Sequence, residues 1–341
     1  MKNNLITLLV DYKEEFYCPH RNTSIATDTD KLASIFKKAG YRLEVRNFCD
    51  INFSEENYKN RKILYQSSQD FGLFYKSYIE DILLGLHYQG ARLIPDFEHF
   101  RAHHNKVFME IFRNIVECPE IKNLPSRHFG TYESFEKKAD DFDYPVVFKL
   151  AEGDTSKGVR LLKNSEEARK IVKKMTRIKS LKDIHENIKR SWIVKNFVKN
   201  SYCRKKFIIQ KFIPGLKSDY KVLAMGEKFY VMKRLVPEND FRASGSGTPL
   251  QWPEKPPEGL LDTVYKIFKA FNAPVASLDM MCDDKNYYLG EFQFVRFGTK
   301  ALMRSPHYFI QKDNSWELKK ERSDWDTVLA EALLKYFDGN K

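Results

Sequence analysis

Residues 276–281 of this chain read Ala-Ser-Leu-Asp-Met-Met, and residues 291–293 read Glu-Phe-Gln. Both stretches have the composition of short β-strands, and the polar turn at residues 283–286 predicts that they form a hairpin. Asp279 then lies on one strand, with Glu291 and Gln293, twelve and fourteen residues later, on the other. Such carboxylates can hold Mg²⁺ against nucleotide phosphates, because magnesium takes a few hard oxygen ligands and leaves its other positions to water and phosphate. Any half-buried hairpin can also carry an acidic pair on its outer face. Features elsewhere in the chain are therefore needed to distinguish a metal site from an ordinary solvated pair.

Length and composition indicate a globular protein. The chain has 341 residues, of which 42% are hydrophobic and 30% charged, enough for two or three domains. It contains no apolar run of the roughly 18–20 residues that a membrane span needs. The apolar run at residues 5–10 is followed at once by charged residues, which predicts a buried strand rather than a signal peptide. We therefore expect a cytoplasmic protein.

The five cysteines, at positions 18, 49, 118, 203 and 282, are scattered and have no paired CxxC spacing. This distribution argues against a disulfide framework and against a zinc site. We expect reduced cysteines that serve in packing.

Positive charge is concentrated in one segment. The formal net charge is +12, and residues 160–211 contain 17 Lys or Arg against 4 Asp or Glu. This excess favours a polyanionic partner, such as nucleotide phosphates, a phosphorylated substrate, an acidic polymer or nucleic acid. The alternative is that the basic residues form the solvated face of helices, one of which is predicted at residues 165–182.

The first third of the chain alternates between strand and helix patterns. Strands are predicted at residues 5–10, 41–47, 62–66 and 92–94, and helices at residues 27–39 and 73–89, which end at Gly40 and Gly90. This βαβ rhythm predicts a parallel sheet with helices on its faces. Farther along, helices are predicted at residues 104–116 and 259–271, and strands at residues 145–150, 159–163, 207–212, 219–224 and 228–234.

A loop rich in glycine and hydroxyl residues joins two of these strands, from Gly153 to Gly158. Glycines let backbone N–H groups approach phosphate oxygens. The loop is not a P-loop, because a strand beginning at Val159 follows it where a P-loop has Lys-Ser/Thr and a helix. With Lys149 on the incoming strand, it fits a flap over a triphosphate, and it also fits a plain hairpin turn.

The order of these parts resembles the ATP-grasp superfamily, which includes D-alanine–D-alanine ligase, glutathione synthetase, biotin carboxylase and the ribosomal protein glutamate ligases. The resemblance covers roughly residues 102–299. It implies an α/β ATP-grasp fold with an N-terminal βαβ domain (1–102), a central linking helical region (103–143), a mobile lid (144–211) and a C-terminal metal-bearing domain (212–341).

The resemblance also implies roles for individual residues. Nucleotide contacts are implied for Lys106, Lys149, the flap residues Gly153, Ser156, Lys157 and Gly158, and the adenine-reading hinge Gln210, Lys211, Phe212 and Ile213. Catalytic cations near the γ-phosphate are implied for Lys221, Arg234 and Arg242, the last in a stretch similar to the Phe-Arg-x-Asn of glutamate-ligase-like members. The implied metal ligands are Asp279, Glu291 and Gln293, although the family normally has Asn at the third position. Arg296 and Arg304, just beyond, could hold a substrate carboxylate in a bidentate fork.

The implied reaction uses ATP and Mg²⁺ or Mn²⁺. A substrate carboxylate attacks the γ-phosphate, and an amine or other nucleophile then displaces phosphate from the acylphosphate, so no enzyme nucleophile is required. Partners would be small carboxylate and amine substrates, anionic or sugar-linked, and nucleic acid is not expected. Two alternatives stay open: a phosphotransferase of the same fold acting on an anionic small molecule, and a nucleotide- or polyanion-binding module without turnover.

Overall fold

The computed structural model describes residues 4–16, 27–68, 70–153, 158–178, 180–216, 218–235, 249–283 and 286–339. Within these ranges the chain forms three β-sheets, with helices packed between and around them. No helix in these ranges is long and apolar enough to cross a membrane.

The N-terminal sheet is parallel, as the βαβ rhythm predicts. Its strands are β1 (Leu5–Val10), β2 (Arg42–Asn47), β3 (Lys62–Leu64) and β4 (Arg92–Ile94), in the order β2-β1-β3-β4. The crossover helices are α1 (Thr29–Lys38) and α2 (Phe74–Tyr88), and every predicted element of this part is present with slightly different ends. The sheet order brings the carboxyl ends of β1 and β3 to one edge, where open α/β sheets bind ligands.

Three short helices follow: α3 (Phe97–Ala102), α4 (Lys106–Ile115) and α5 (Pro119–Lys122). Helix α4 begins two residues later than predicted because Asn105 caps it, its side chain accepting from the N–H of Phe108 at 3.3 Å. His104, with φ of 52°, turns the chain sharply between α3 and α4. This turn positions His103 and Lys106 close to the site described below.

The second sheet is antiparallel and contains most of the predicted lid segment, so we call it the lid sheet. It consists of β5 (Ser126–Phe129), β6 (Val146–Leu150), β7 (Val159–Leu162) and β8 (Phe207–Lys211), in the order β5-β8-β6-β7. Helices α6 (Tyr132–Glu136), α7 (Ser165–Thr176) and α8 (Leu181–Ile193) accompany it, around a core that includes the fully buried rings of Phe135, Phe148 and Phe207.

Two features of the lid differ from the sequence prediction. The sheet includes β5, which lies before the predicted lid segment 144–211 and was not predicted as a strand. The helix predicted over residues 165–182 was wrong in extent: α7 ends at Thr176, and α8 starts separately with the side chain of Ser180 as its cap. A short bridge between Arg177 and Cys203 forms where the two helices separate.

The third and largest sheet carries the site. Its strands are β9 (Ser218–Met225), β10 (Lys228–Leu235), β11 (Leu250–Gln251), β12 (Val275–Cys282), β13 (Tyr287–Gln293), β14 (Tyr308–Lys312) and β15 (Ser315–Lys319). They run in the order β13-β12-β9-β10-β14-β15, with β11 paired to β10. The remaining helices are α9 (Leu260–Phe271), α10 (Lys300–Met303) and α11 (Trp325–Gly339).

One face of this sheet changes from apolar to polar along its strands. On β9, Met225 and Leu223 belong to the hydrophobic core that the sheet shares with α11 and the N-terminal sheet. Farther along the same face come Lys221 and Asp219. Side chains on a strand alternate between faces, so the four residues follow one another on one side of the sheet. The polar end of this face is where the predicted site residues meet.

Candidate active site

Three charged residues form a row across three adjacent strands. Asp279 on β12 lies directly opposite Lys221 on β9 and directly opposite Glu291 on β13. Directly opposite residues of antiparallel strands point to the same face. Lys221 donates from Nζ to Oδ1 of Asp279 at 2.8 Å. Gln293 lies two residues beyond Glu291, opposite Ser277, so the structure brings all three predicted metal ligands to one face.

Arg234 joins this row from β10. It lies opposite Asp219, and its Nε donates to Oδ1 of Asp219 at 2.7 Å. Its Nη2 pairs with the other Asp219 oxygen and lies 3.0 Å from Oδ2 of Asp279. One guanidinium therefore holds two carboxylates.

The electrostatics keep two carboxylates ionised. Burial alone would raise the pKa of Asp279, but Arg234 and Lys221 hold that pKa well below its usual range. Burial would also raise the pKa of Glu291, and Lys106 and Lys149 lower it. Both groups are thus anionic at neutral pH. Asp219 differs, since burial raises its pKa to about 6 despite Arg234.

A β-bulge sets the direction of Glu291. Asp279 pairs with Glu291 while the next residue, Met280, pairs with Leu289, so Gly290 is the extra residue of β13. A Cβ at Gly290 would lie 3.3 Å from the carbonyl oxygen of Asp279. Glycine fits here because the two backbones approach closely.

Lys106 connects strand β13 with the lid sheet. It is the first residue of α4, and its Nζ lies 3.7 Å from Oε1 of Glu291 and donates to the carbonyl oxygen of Gly153 at 3.2 Å. Its backbone N–H donates to the carbonyl oxygen of Ala151 at 2.9 Å. The end of β6, the start of α4 and strand β13 therefore meet at this one lysine.

Lys149 is half-buried on β6. Burial lowers the pKa of its ammonium group, while the charges of Glu291 and Glu110 raise it. The ammonium thus lies within the field of the same carboxylate that Lys106 contacts. Two lysines from different elements surround Glu291 on the side of the lid.

The other predicted nucleotide residues lie around the base of the lid. Gly158 accepts a hydrogen bond at its carbonyl oxygen from the N–H of Leu150 at 3.1 Å, and Gly153, with φ of 119°, has a backbone conformation that favours glycine. Gln210 is buried, and Lys211 is exposed at the end of β8. Phe212 and Ile213 follow directly. Ser156, Lys157 and Arg242 lie outside the described residues.

A buried ion pair beneath the site was not predicted from the sequence. Arg113 and Glu110 are 1% and 2% exposed, and Nε of Arg113 lies 2.9 Å from Oε2 of Glu110. Glu110 also accepts from the hydroxyl of Ser126 at 2.7 Å and from Nε2 of Gln210 at 3.5 Å, both in the lid sheet. Arg113 donates to the carbonyl oxygen of Gly290 at 3.4 Å. The pair thus links the lid with the bulge beside Glu291. The sequence feature that could have indicated this ion pair is the i,i+3 spacing of Glu110 and Arg113 on a strongly amphipathic helix.

The donor set fits a magnesium ion. Among the described residues, no cluster of three or more His, Cys, Asp or Glu side chains could hold a metal. The predicted set consists instead of two ionised carboxylates and the amide of Gln293 on one sheet face. These are hard oxygen donors, the kind Mg²⁺ takes together with water and phosphate.

Comparison with solved structures identifies the fold. The structure of D-cycloserine synthetase DcsG is similar over 97% of this chain and 99% of that one, with 12% identity and a TM-score of 0.54. A RimK domain ATP-grasp protein from Sphaerobacter thermophilus DSM 20745 matches over 86% and 92% of the two chains, with 12% identity and a TM-score of 0.48. No protein-family model matches the sequence, and no curated protein matches it either. The chain has the ATP-grasp fold, as its sequence predicts.

Proposed function

We propose that this protein is an ATP-dependent ligase, which activates a substrate carboxylate as an acylphosphate and joins it to an amine. The observation that carries the proposal is the set of four cations, Lys106, Lys149, Lys221 and Arg234, arranged around two ionised carboxylates on one sheet face. Cations placed in this way suit a triphosphate whose charge is redistributed during phosphoryl transfer.

ATP would be the first substrate, bound between the lid and the third sheet. Lys106 and Lys149 would contact its phosphates, and the loop between Gly153 and Gly158 would close over them. The backbone of residues 210–213 would read the adenine edge. The lysine contact between α4 and Gly153 supports this placement, because it already holds the start of the loop against Glu291.

Asp279, Glu291 and Gln293 would hold Mg²⁺. When bound, the ion would neutralise phosphate charge and orient the triphosphate. Lys221 and Arg234 would stabilise the transferring phosphoryl group, and their contacts with Asp279 support this role. Their charges do not need to reorganise when the reaction occurs.

The proposed chemistry has two displacements. A carboxylate oxygen of the substrate attacks the γ-phosphorus of ATP, the bond from that phosphorus to the bridging oxygen breaks, and ADP leaves with the electron pair. The amine nitrogen of the second substrate then attacks the acyl carbon, the C–O bond to phosphate breaks, and phosphate leaves while the nitrogen loses a proton to solvent. Closure of the lid would exclude water from the acylphosphate.

The substrate class remains part of the proposal. We expect a small carboxylate and an amine, including anionic or sugar-linked compounds, in the cytoplasm. One solved structure that shares the fold is a D-cycloserine synthetase, but at 12% identity it supports the fold and not a substrate.

A screen for ADP release tests the proposal. The purified protein with Mg²⁺ and ATP is offered amino acids, amino sugars and uronic acids, and hydroxylamine is added in parallel to trap an acylphosphate as a hydroxamate. We expect carboxylate-dependent ADP release with hydroxamate formation in the wild type, and neither in Glu291→Gln. Glu317→Gln, on the edge strand β15, is the matched control and should behave as wild type.

Each other outcome contradicts the ligase assignment. A stable phosphorylated product without hydroxamate would select the phosphotransferase. Nucleotide binding without ADP release across the whole screen would select a binding module without turnover.

A further inference from the structure

His103 is a buried side chain with unsatisfied hydrogen-bonding groups. It is 1% exposed, and within the described part of the chain neither ring nitrogen has a hydrogen-bond partner. The large majority of buried polar side-chain atoms in folded proteins do have one, because an unpaired buried polar group is costly. An imidazole left unsatisfied beside a candidate active site is therefore a signal that a ligand is missing.

Positive charge surrounds this imidazole. Burial lowers the pKa of His103 well below its usual range, and four neighbouring basic groups lower it further: His104, Lys76, Arg296 and Lys106. The ring is neutral at physiological pH, so one nitrogen carries a proton that it can donate. The adjacent ring of His104 lies edge-on at 4.6 Å between centroids.

Lys76 supplies a buried cation from α2. It is 4% exposed, and its Nζ lies 4.6 Å from the centroid of the Phe100 ring. Its Nζ also lies 3.8 Å from Oε2 of Glu80. Glu80 is itself held by Arg101, whose Nε lies 3.1 Å from its Oε1. The two cations thus share one carboxylate, which leaves excess positive charge beside His103.

Arg296 reaches the same place from the chain that follows β13. Its Nη1 donates to the carbonyl oxygen of Ser67 at 3.4 Å, in the segment that follows β3. The carboxyl end of β3 belongs to the edge of the N-terminal sheet where open α/β sheets bind ligands. Lys106, 3.7 Å from Glu291, connects this group with the proposed phosphate site.

We propose that Lys76, His103 and Arg296 form a subsite that binds an oxyanionic group of the substrate, a carboxylate or a phosphate. A guanidinium, an ammonium and a neutral imidazole N–H together offer charge and several donors to such a group. The proposal rests on the proposed ligase function, since the subsite adjoins the triphosphate through Lys106. It assigns recognition of the substrate's anionic group to these three residues.

Histidine NMR tests this subsite. The protein is labelled with ¹⁵N-histidine, saturated with Mg²⁺ and a non-hydrolysable ATP analogue so that the γ-phosphate position is filled, and titrated with sodium acetate or inorganic phosphate. Sodium chloride at equal ionic strength is the reference, and His103→Asn assigns the ring signals. We expect saturable shifts of the His103 signals with acetate, phosphate or both.

Three further variants locate the binding. Lys76→Met should lower the affinity for the anion at least tenfold and change the affinity for the nucleotide less than twofold. Arg296→Met is a second variant in case Lys76→Met does not fold. Lys170→Met, at an exposed position of helix α7, is the matched control and should titrate as wild type. A stronger response to acetate assigns a carboxylate substrate, and a stronger response to phosphate assigns a phosphorylated one.

Two results would overturn the subsite: no anion-specific shift of His103, or an unchanged anion affinity in both Lys76→Met and Arg296→Met. Nucleotide affinity is measured on the same samples. Anion binding at His103 without nucleotide binding in the wild type would leave the subsite standing and remove the ligase proposal. Nucleotide binding without an anion-specific shift of His103 would leave the ligase proposal standing and remove the subsite.

Discussion

Nζ of Lys106 lies 3.7 Å from Oε1 of Glu291. The two residues belong to α4 and β13, and the same ammonium also donates to the lid at Gly153. A lysine that bridges a predicted metal ligand and the start of a glycine-containing loop is poised to exchange those contacts for phosphate oxygens.

Glu291→Gln should abolish turnover while leaving the protein folded. The substitution keeps the shape of a partly exposed strand residue but removes the charge that would hold the metal and pair with Lys106. We expect a loss of at least a hundredfold in the rate of ADP release, with a thermal midpoint within a few degrees of wild type. If the variant keeps most of its activity, the metal hairpin is misassigned.

Glu110→Gln should destabilise the fold by about 3–5 kcal/mol, because it leaves the buried guanidinium of Arg113 without its carboxylate. Replacing both residues, as Glu110→Gln with Arg113→Met, should cost less than the sum of the two single replacements. Urea denaturation of the four proteins gives the coupling free energy. Additive effects would show that the pair is not a coupled unit.

Asp279→Asn should lower the free energy of unfolding by about 1–3 kcal/mol at pH 7, because Lys221 loses its carboxylate partner. Since the pKa of Asp279 is depressed in the folded state, its contribution is complete above the unfolded pKa of about 3.9 and declines as pH falls toward the folded value. The difference between wild type and variant should therefore be constant from pH 7 to pH 5 and shrink below pH 4.

Urea denaturation curves of wild type and Asp279→Asn, recorded from pH 7 to below pH 4, give the two free energies of unfolding to compare. Asp81→Asn, on the exposed side of α2, is the control for a general effect of losing a carboxylate. A difference that grows toward acid pH would contradict the assigned ion pairs.

The loop between β6 and β7 should become protected when nucleotide binds. Phosphate oxygens that accept hydrogen bonds from the N–H groups of this loop would slow their exchange, because exchange requires those groups to open to water. Hydrogen exchange of residues 152–158 should slow at least tenfold with Mg²⁺ and a non-hydrolysable ATP analogue. Residues of β9, in the core of the third sheet, serve as the internal reference. Equal exchange with and without bound nucleotide would make the loop an ordinary rigid hairpin.

The sequence predicted those elements whose signal is local. Strands β1 and β12 are mostly apolar, and helices α1 and α2 end two residues before Gly40 and Gly90. Hydrophobic periodicity and helix-ending glycines were therefore sufficient to predict them. The pairing of Asp279 with Glu291 followed from the short turn between their strands. Strands β14 and β15 and helix α11 were not predicted, although α11 supplies much of the core under the N-terminal sheet.

What the sequence could not provide depends on contacts between distant residues. Arg113 and Gly290 are 177 positions apart, and nothing local distinguishes a buried Glu110–Arg113 pair from a solvated one on a helix surface. Nothing local in the sequence distinguishes His103 from a histidine that packs or hydrogen-bonds in a core. Its unsatisfied ring becomes informative only once Lys76 and Arg296 are known to approach it from two other parts of the chain.

The most direct test of the central claim is calorimetric titration with a non-hydrolysable ATP analogue, with and without Mg²⁺. We predict a dissociation constant in the range of about 1–100 μM with Mg²⁺, corresponding to roughly 5.5–8 kcal/mol. Binding should weaken at least tenfold in Lys149→Met and should be unchanged in Lys266→Met, an exposed lysine on α9. Absence of binding at millimolar analogue to the folded wild type, or equal affinity in Lys149→Met, would contradict the account.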